Sequence, residues 1–356
     1  MLCNAFLAPA LHGVGPLFES LPQVPSTMRP SQPEVLLTGF ADEAAADKSL
    51  WQQVTTFAAL GLQYMTVRFV NLGNGIKNAM ALSDAEVQTA RAILADYGLH
   101  VSSLGSPLGK VKLLNVDDGT ASPYRPWDEY LRHDVPRACE LAQAFGTRLI
   151  RGFSFYPPKA ADPQDFLAAA VERISQMVEY CDRQGLTLGL EVESNLVGRS
   201  GFLLAEIHRQ VNHPGLVLVF DGANLVVQGN GPAEVFRHYE AMRPGLGWVH
   251  FKDHEATAHE TSAPVQYVDE EALHRYVPAG QGAAGYERIL RDLRPRLPEL
   301  SHRLAERQIP GVFFDLEPHL KRGGQFGGYS GPDGLGIALR ALCQLLERVG
   351  IAYRLR

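Results

Sequence analysis

The sequence predicts an α/β fold of the (β/α)8-barrel type. Three observations carry that prediction: eight short apolar runs, a helical pattern after nearly every one, and a polar residue closing several of the runs. The first run, residues 35–39, reads as a strand buried on both faces, and 48–59 repeats apolar residues at helical spacing behind it. Run two covers 64–69, and the helical pattern at 83–97 starts on a Ser83–Glu86 capping box. Runs three and four, 100–105 and 148–153, precede helical patterns over 127–145 and 163–184. Runs five and six, 187–193 and 216–221, lead into 203–212 and a weaker, shorter pattern at 233–239. Runs seven and eight, 247–251 and 311–317, lead into 286–307 and 335–349. Gly61, Gly98, Gly146, Gly185 and Gly350 stand where left-handed helix caps are expected.

A doubly wound open sheet is the alternative, but it usually begins with a nucleotide-binding turn. Here the first strand runs into Phe40-Ala41-Asp42-Glu43 instead. With no linker or low-complexity tract in the body, the expected organisation is an irregular N-terminal arm over 1–33 and one catalytic barrel over 34–356. The arm is apolar and Pro-rich, and it lacks the charged start and unbroken apolar run of a secretory signal. Met28 is an alternative start to Met1. No stretch reaches the roughly 18 apolar residues of a membrane span. A net charge of −6 with no Lys/Arg run argues against nucleic acid or an anionic membrane as partner. Cys3, Cys139, Cys181 and Cys343 are scattered without a CxxC pair, as expected of free thiols in a reducing cytoplasm.

Function in such a barrel sits at the carboxyl ends of the strands. Glu191, Asp221, His250 and Glu317 close the apolar runs of strands five to eight, so all four are placed to point across the mouth. A lone acid at a strand end usually caps a helix or pairs with an arginine; it is the joint occurrence that argues for a metal. Three carboxylates and one imidazole make a hard, oxygen-rich set, which favours Mn²⁺, with Mg²⁺, Co²⁺ or Zn²⁺ as alternatives. A divalent metal there would polarise a bound carbonyl or hydroxyl, and a base within hydrogen-bond reach would take a proton from the neighbouring carbon. His319, two residues beyond Glu317, would share its inward direction if the strand continued, as an acid/base or a substrate contact. Arg151, Lys252 and Lys110 are candidate substrate contacts, each with an ion pair or solvated loop as the plainer alternative. Glu193 repeats the direction of Glu191 one step on. Gly280-Gln281-Gly282-Ala283-Ala284-Gly285 fits GxGxxG but follows no strand of a dinucleotide-binding unit, and His254-Glu255 with His259 is one residue too long for HExxH. The glycine-rich loop at 323–331 can bring backbone N–H groups close to a ligand.

The chain resembles the xylose-isomerase-like TIM-barrel superfamily, which includes sugar isomerases, ketose 3-epimerases and inosose dehydratase. The matching segments are Gly39-Phe40-Ala41-Asp42-Glu43, Ser102-Ser103-Leu104-Gly105-Ser106-Pro107, Ile150-Arg151-Gly152-Phe153-Ser154-Phe155, Phe220-Asp221-Gly222-Ala223-Asn224, His250-Phe251-Lys252-Asp253 and Glu317-Pro318-His319-Leu320. The resemblance places the family's metal ligands on Glu191, Asp221, His250 and Glu317, and the epimerases' proton-transferring pair on Glu191 and Glu317. It also marks a departure: the epimerases carry a substrate-binding His where this chain has Asn224, which becomes the candidate contact there. A metal-dependent sugar isomerase or epimerase working through an enediolate is therefore the leading expectation. The alternative is the catalytic (alpha) subunit of a C-glycoside deglycosidase, a lyase that eliminates the aglycone from a 3-oxo-glycoside. The partners expected are a sugar or glycoside, a second copy of the chain, or a small β-rich subunit. A DNA-repair barrel would need more histidines and a basic face, and a non-catalytic sugar-binding barrel has no need of the full ligand set.

Overall fold

The computed structural model describes residues 34–256, 274–320 and 331–356. The expectations for the arm at 1–33, for Cys3 and His259, and for all but the last residue of the 323–331 loop lie outside them. The barrel strands are β1 (Leu36–Gly39), β2 (Tyr64–Val67), β3 (His100–Leu108), β4 (Leu149–Gly152), β5 (Thr187–Glu191), β6 (Leu216–Asp221), β7 (Leu246–Phe251) and β8 (Phe313–Leu316). They form one sheet of eight strands in the order β1-β8-β7-β6-β5-β4-β3-β2. Every recorded pairing within it is parallel. A single parallel bridge from Phe40 to Thr66 draws β1 towards β2 and brings the sheet almost to closure. The strands from β4 to β7 are buried at every position, which is why their sequences read as unbroken apolar runs rather than as alternation.

The helices are α1 (Leu50–Ala59), α2 (Asp84–Asp96), α3 (Trp127–Ala144), α4 (Leu167–Arg183), α5 (Gly201–Val211), α6 (Gly222–Val226), α7 (Pro232–Met242), α8 (Tyr286–Leu293), α9 (Leu297–Glu306) and α10 (Gly331–Val349). The Ser83 side chain caps α2, and the Glu86 carboxylate returns to the Ser83 N–H at 2.8 Å. The five expected capping glycines all have φ between 62° and 74°.

Several elements differ from expectation. The helix expected over 286–307 is two, because Pro295 lacks the N–H that a continuous helix needs and the chain tightens into a 3-10 turn at Arg294–Arg296. Run two ends at Val67, and Phe69–Asn71 turns away to pair antiparallel with Ile76–Asn78. Run five ends at Glu191 and run eight at Leu316. The short helix α6, directly after Asp221, has too few residues to show a period.

One internal contact shapes the barrel below the site. A Cβ on Gly189 would lie 2.1 Å from the Trp248 ring, so only glycine on β5 leaves the space that this buried indole fills.

Candidate metal centre

The four predicted ligands come together at the carboxyl end of the barrel. Glu191 and Asp221 are the last residues of β5 and β6, His250 is next to last in β7, and Glu317 follows β8 directly. Register places Asp221 and Asp315 on either side of His250, and the Glu317 N–H extends the β8 ladder to the Phe251 carbonyl at 3.2 Å. One atom from each of the four side chains can be chosen so that all lie within 4.8 Å of one another, and all four residues are buried. His250 Nδ1 stands 3.3 Å from Glu191 Oε1, 3.7 Å from Glu317 Oε2 and 3.8 Å from Asp221 Oδ2. The Trp248 indole nitrogen packs 3.2 Å from Nε2 of the same ring, and Nδ1 faces the carboxylates.

The residues fit a divalent cation. Buried polar atoms almost always find a hydrogen-bond partner, yet His250 Nδ1 has none of acceptable geometry, and Asp221 Oδ2, which faces it, meets the Lys252 ammonium at 3.0 Å without a well-formed hydrogen bond. A cation among three carboxylates and an imidazole would satisfy both, and oxygen donors in this proportion suit Mn²⁺ or Mg²⁺.

Charge is distributed unevenly among the ligands. Burial pushes the Glu191 carboxyl up, but His250 and Arg151 outweigh it and hold the group down at about 2. Burial likewise opposes ionisation of Glu317, and Lys252, His319 and Arg68 overcome it, leaving this carboxyl well below the usual range. At Asp221 burial wins over the Lys252 ammonium and raises the carboxyl to about 6. Burial would discharge His250, but Glu191 beside it raises the imidazole above its ordinary value.

The predicted contacts are placed as follows. Arg151 donates to Glu191 Oε2 at 3.2 Å and lies 4.0 Å from Glu317 Oε1, so it reaches both glutamates. Lys252 is fully enclosed, 2.7 Å from Glu317 Oε2 and 3.0 Å from Asp221 Oδ2. Lys110 pairs with Glu193 at 2.7 Å over the face of Phe153, nearer the rim. The Asn224 amide donates to Glu191 Oε1 and to the Val192 carbonyl, both at 3.1 Å, so it orients a ligand. His319 does not prolong a strand: β8 ends at Leu316, and His319 is left-handed at φ 49°. Its ring nevertheless turns inward, with Nε2 3.9 Å from Glu317 Oε1.

Asp253 is a structural acceptor. Its carboxylate takes the backbone N–H groups of Gly280, Gly282 and Ala284 at 3.0–3.1 Å. The glycine-spaced turn at 280–285 thus spends on an internal carboxylate the donors that would otherwise cradle a phosphate.

Four features went unseen in the sequence. Arg68, just past β2, braces Glu317 Oε1 at 2.5 Å and also pairs with Asp42 and Glu43 at 2.9 and 3.1 Å. Applying the strand-end rule to β2 as well as to strands five to eight would have found it. The Tyr286 hydroxyl lies 3.0 and 2.8 Å from the carbonyls of His250 and Lys252 and tethers the exit of β7. Tyr276 sits edge-on to His319 with ring centroids 5.0 Å apart. Beneath the ligands, Thr66 donates to Asp315 at 2.6 Å and meets Ser102 and Ser103, which continues a buried hydroxyl network to Thr38. The last three rest on tertiary contacts that no local pattern announces.

Comparison with known proteins agrees with this architecture. The family model described as xylose isomerase-like TIM barrel matches residues 54–297. No curated protein matches the chain in sequence. Among solved structures, the probable 3-DHS dehydratase AsbF from Bacillus anthracis superposes with a TM-score of 0.59 at 17% identity, covering 87% of this chain and 98% of its own. A xylose isomerase-like TIM barrel protein from Mycobacterium smegmatis in complex with magnesium gives a TM-score of 0.56 at 18% identity, covering 90% and 97%. The D-allulose 3-epimerase from a Methylomonas species gives 0.54 at 18% identity, covering 88% and 99%. At these identities the likeness is one of fold.

Proposed function

The chain belongs to the xylose isomerase-like TIM-barrel family, and from that premise we propose that it is a divalent-metal-dependent sugar isomerase or epimerase, working by proton abstraction next to a carbonyl. One observation carries the reading: Glu191 and Glu317 stand at the two ends of an arc whose middle is Asp221 and His250. Two carboxylates on either side of one bound sugar can take a proton from one face and return it from the other. A metal held by the four ligands, Mn²⁺ or Mg²⁺ by their chemistry, would polarise the carbonyl and stabilise the enediolate. The chain's own part is then clear. Glu191 is held ionised by His250 and Arg151 and oriented by Asn224. Glu317 is held ionised from two sides by Lys252 and Arg68. Lys110, Arg151, Lys252 and Arg68 are each already paired with a carboxylate, which supports an uncharged sugar rather than a phosphorylated one.

A second reading keeps fold and metal and changes the outcome to β-elimination from a 3-oxo-glycoside, as in the catalytic subunit of C-glycoside deglycosidases. Asn224 favours it, since the residue standing in place of the epimerases' substrate-binding histidine is turned to Glu191 and not to the mouth.

Mass spectrometry of free ketoses and 3-oxo-glycosides incubated with the Mn²⁺-loaded protein in D2O separates the two. A one-unit gain in an intact sugar supports isomerase or epimerase chemistry, and free aglycone supports the lyase. Glu191→Gln and Glu317→Gln are expected to abolish turnover with the circular-dichroism spectrum unchanged. Full activity of either variant with metal present would overturn the assigned roles.

A further inference from the structure

We propose that Glu43, in the loop after β1, is a positioning residue for His319, holding the imidazole so that Nε2 faces the mouth as a hydrogen-bonding group for a sugar hydroxyl. The inference rests on the functional reading above and deepens it at one corner of the site.

The backbone makes the first case. His319 is a non-glycine residue in the left-handed region, φ 49°, and follows a proline that cannot donate to a strand ladder. Such a conformation persists only where the surroundings impose it, and strained side chains of this kind gather at binding sites. Glycine would adopt the turn without penalty, so the imidazole is there for something its ring does.

The ring is held from two sides. Nδ1 lies 2.9 Å from Glu43 Oε1, and Tyr276 closes edge-on at 5.0 Å. A carboxylate can only accept, so Nδ1 carries a proton towards Glu43 and Nε2 is the ring atom left to face the mouth. Glu43 is itself buried and braced by Arg68 at 3.1 Å, and the same guanidinium grips Glu317 Oε1. One arginine therefore sets the spacing between the positioning carboxylate and a metal ligand. Across that spacing Nε2 stands 3.9 Å from Glu317 Oε1, too far for a hydrogen bond and close enough for one hydroxyl to reach both. His319 is buried but keeps some accessible surface, as a ring contacting a ligand should.

The tautomer is the direct readout and needs no substrate. Long-range ¹H–¹⁵N correlation of the Mg²⁺-loaded protein labelled with ¹⁵N-histidine reports it, with His319 assigned by its loss in His319→Gln. The wild type is expected to show Nδ1–H, Glu43→Gln to retain it through the amide carbonyl, and Glu43→Ala to lose it. An Nε2–H tautomer in the wild type overturns the proposal even if Glu43→Ala fails to fold. With the sugar turned over in the D2O experiment, Glu43→Ala is expected to raise KM about tenfold with kcat changing less, and Glu43→Gln to restore most of it. An unchanged KM in a folded Glu43→Ala would reduce Glu43 to a structural residue and also overturn the proposal. If no sugar in the panel reacts, the functional reading fails while the tautomer still decides the Glu43–His319 contact.

Discussion

Asp221 is the candidate ligand whose carboxyl is raised into the range of mild acid. With the carboxyl raised to about 6 by burial, the metal-free site holds a proton there in mild acid that an unfolded Asp would already have lost. Two consequences follow from the sign. Metal must displace that proton and the one that Glu191 helps His250 to keep, so affinity is expected to fall steadily as pH drops, by about tenfold per pH unit for each proton displaced. Titration calorimetry with Mn²⁺ at pH 5 and pH 7.5 checks this, and equal affinities would contradict it. For folding, a raised acid group stabilises the metal-free protein below its unfolded value of 3.8, and that contribution is lost as pH rises through about 6. Glu191 acts in the opposite sense: lowered to about 2, it contributes stability above its ordinary 4.5 that is lost as pH falls towards 2. The convergence of these four residues was legible in the sequence, because each is a polar residue closing an apolar run. Glu43 and Tyr276 were not, because their roles are defined by His319, far away in the chain, whereas Arg68 stands at a strand end and was open to the same rule.

Among the elements, those with a local physical signature were read well. The capping box of α2 is an example, and Ser83→Ala is expected to cost about 1 kcal/mol, visible as a fall of a few degrees in melting temperature by calorimetry. An unchanged transition would mean that the contacts of Glu86 with Lys77 and Asn74 hold the turn without the cap. The break at Arg294–Arg296 was equally local, yet the apolar spacing on either side of Pro295 stays in phase and masks it. Among the described residues, the small antiparallel pairs Phe69–Asn71 with Ile76–Asn78 and Asp253–His254 with Tyr276–Val277 have strands of two or three residues, shorter than any period that marks a strand. His319 shows the limit most sharply. Alternation along a continued strand predicts an inward side chain, and the ring does face inward, but a left-handed turn brings it there.

For the whole molecule, the metal is expected to act as a clamp on strands from β5 to β8. Chelation with EDTA should lower the melting temperature, and Mn²⁺ at about 100 times its dissociation constant should restore about 2.7 kcal/mol of stability. A melting curve indifferent to chelator and metal would count against the site. No helix among the described residues is long and apolar enough to cross a membrane. The barrel was legible as a whole because parallel strands buried on both faces leave a compositional trace that survives errors of one or two residues at their ends. Its near-closure, by the single Phe40–Thr66 bridge, has a consequence for how the chain comes into being. The first loops and the last strand meet at that seam, where Glu43 and Arg68 await Glu317 and His319. During synthesis, most of the polypeptide has emerged before those charges can find each other. Contacts of such separation are slow to form, so this side of the site stays incomplete until Glu317 and His319 have emerged and docked.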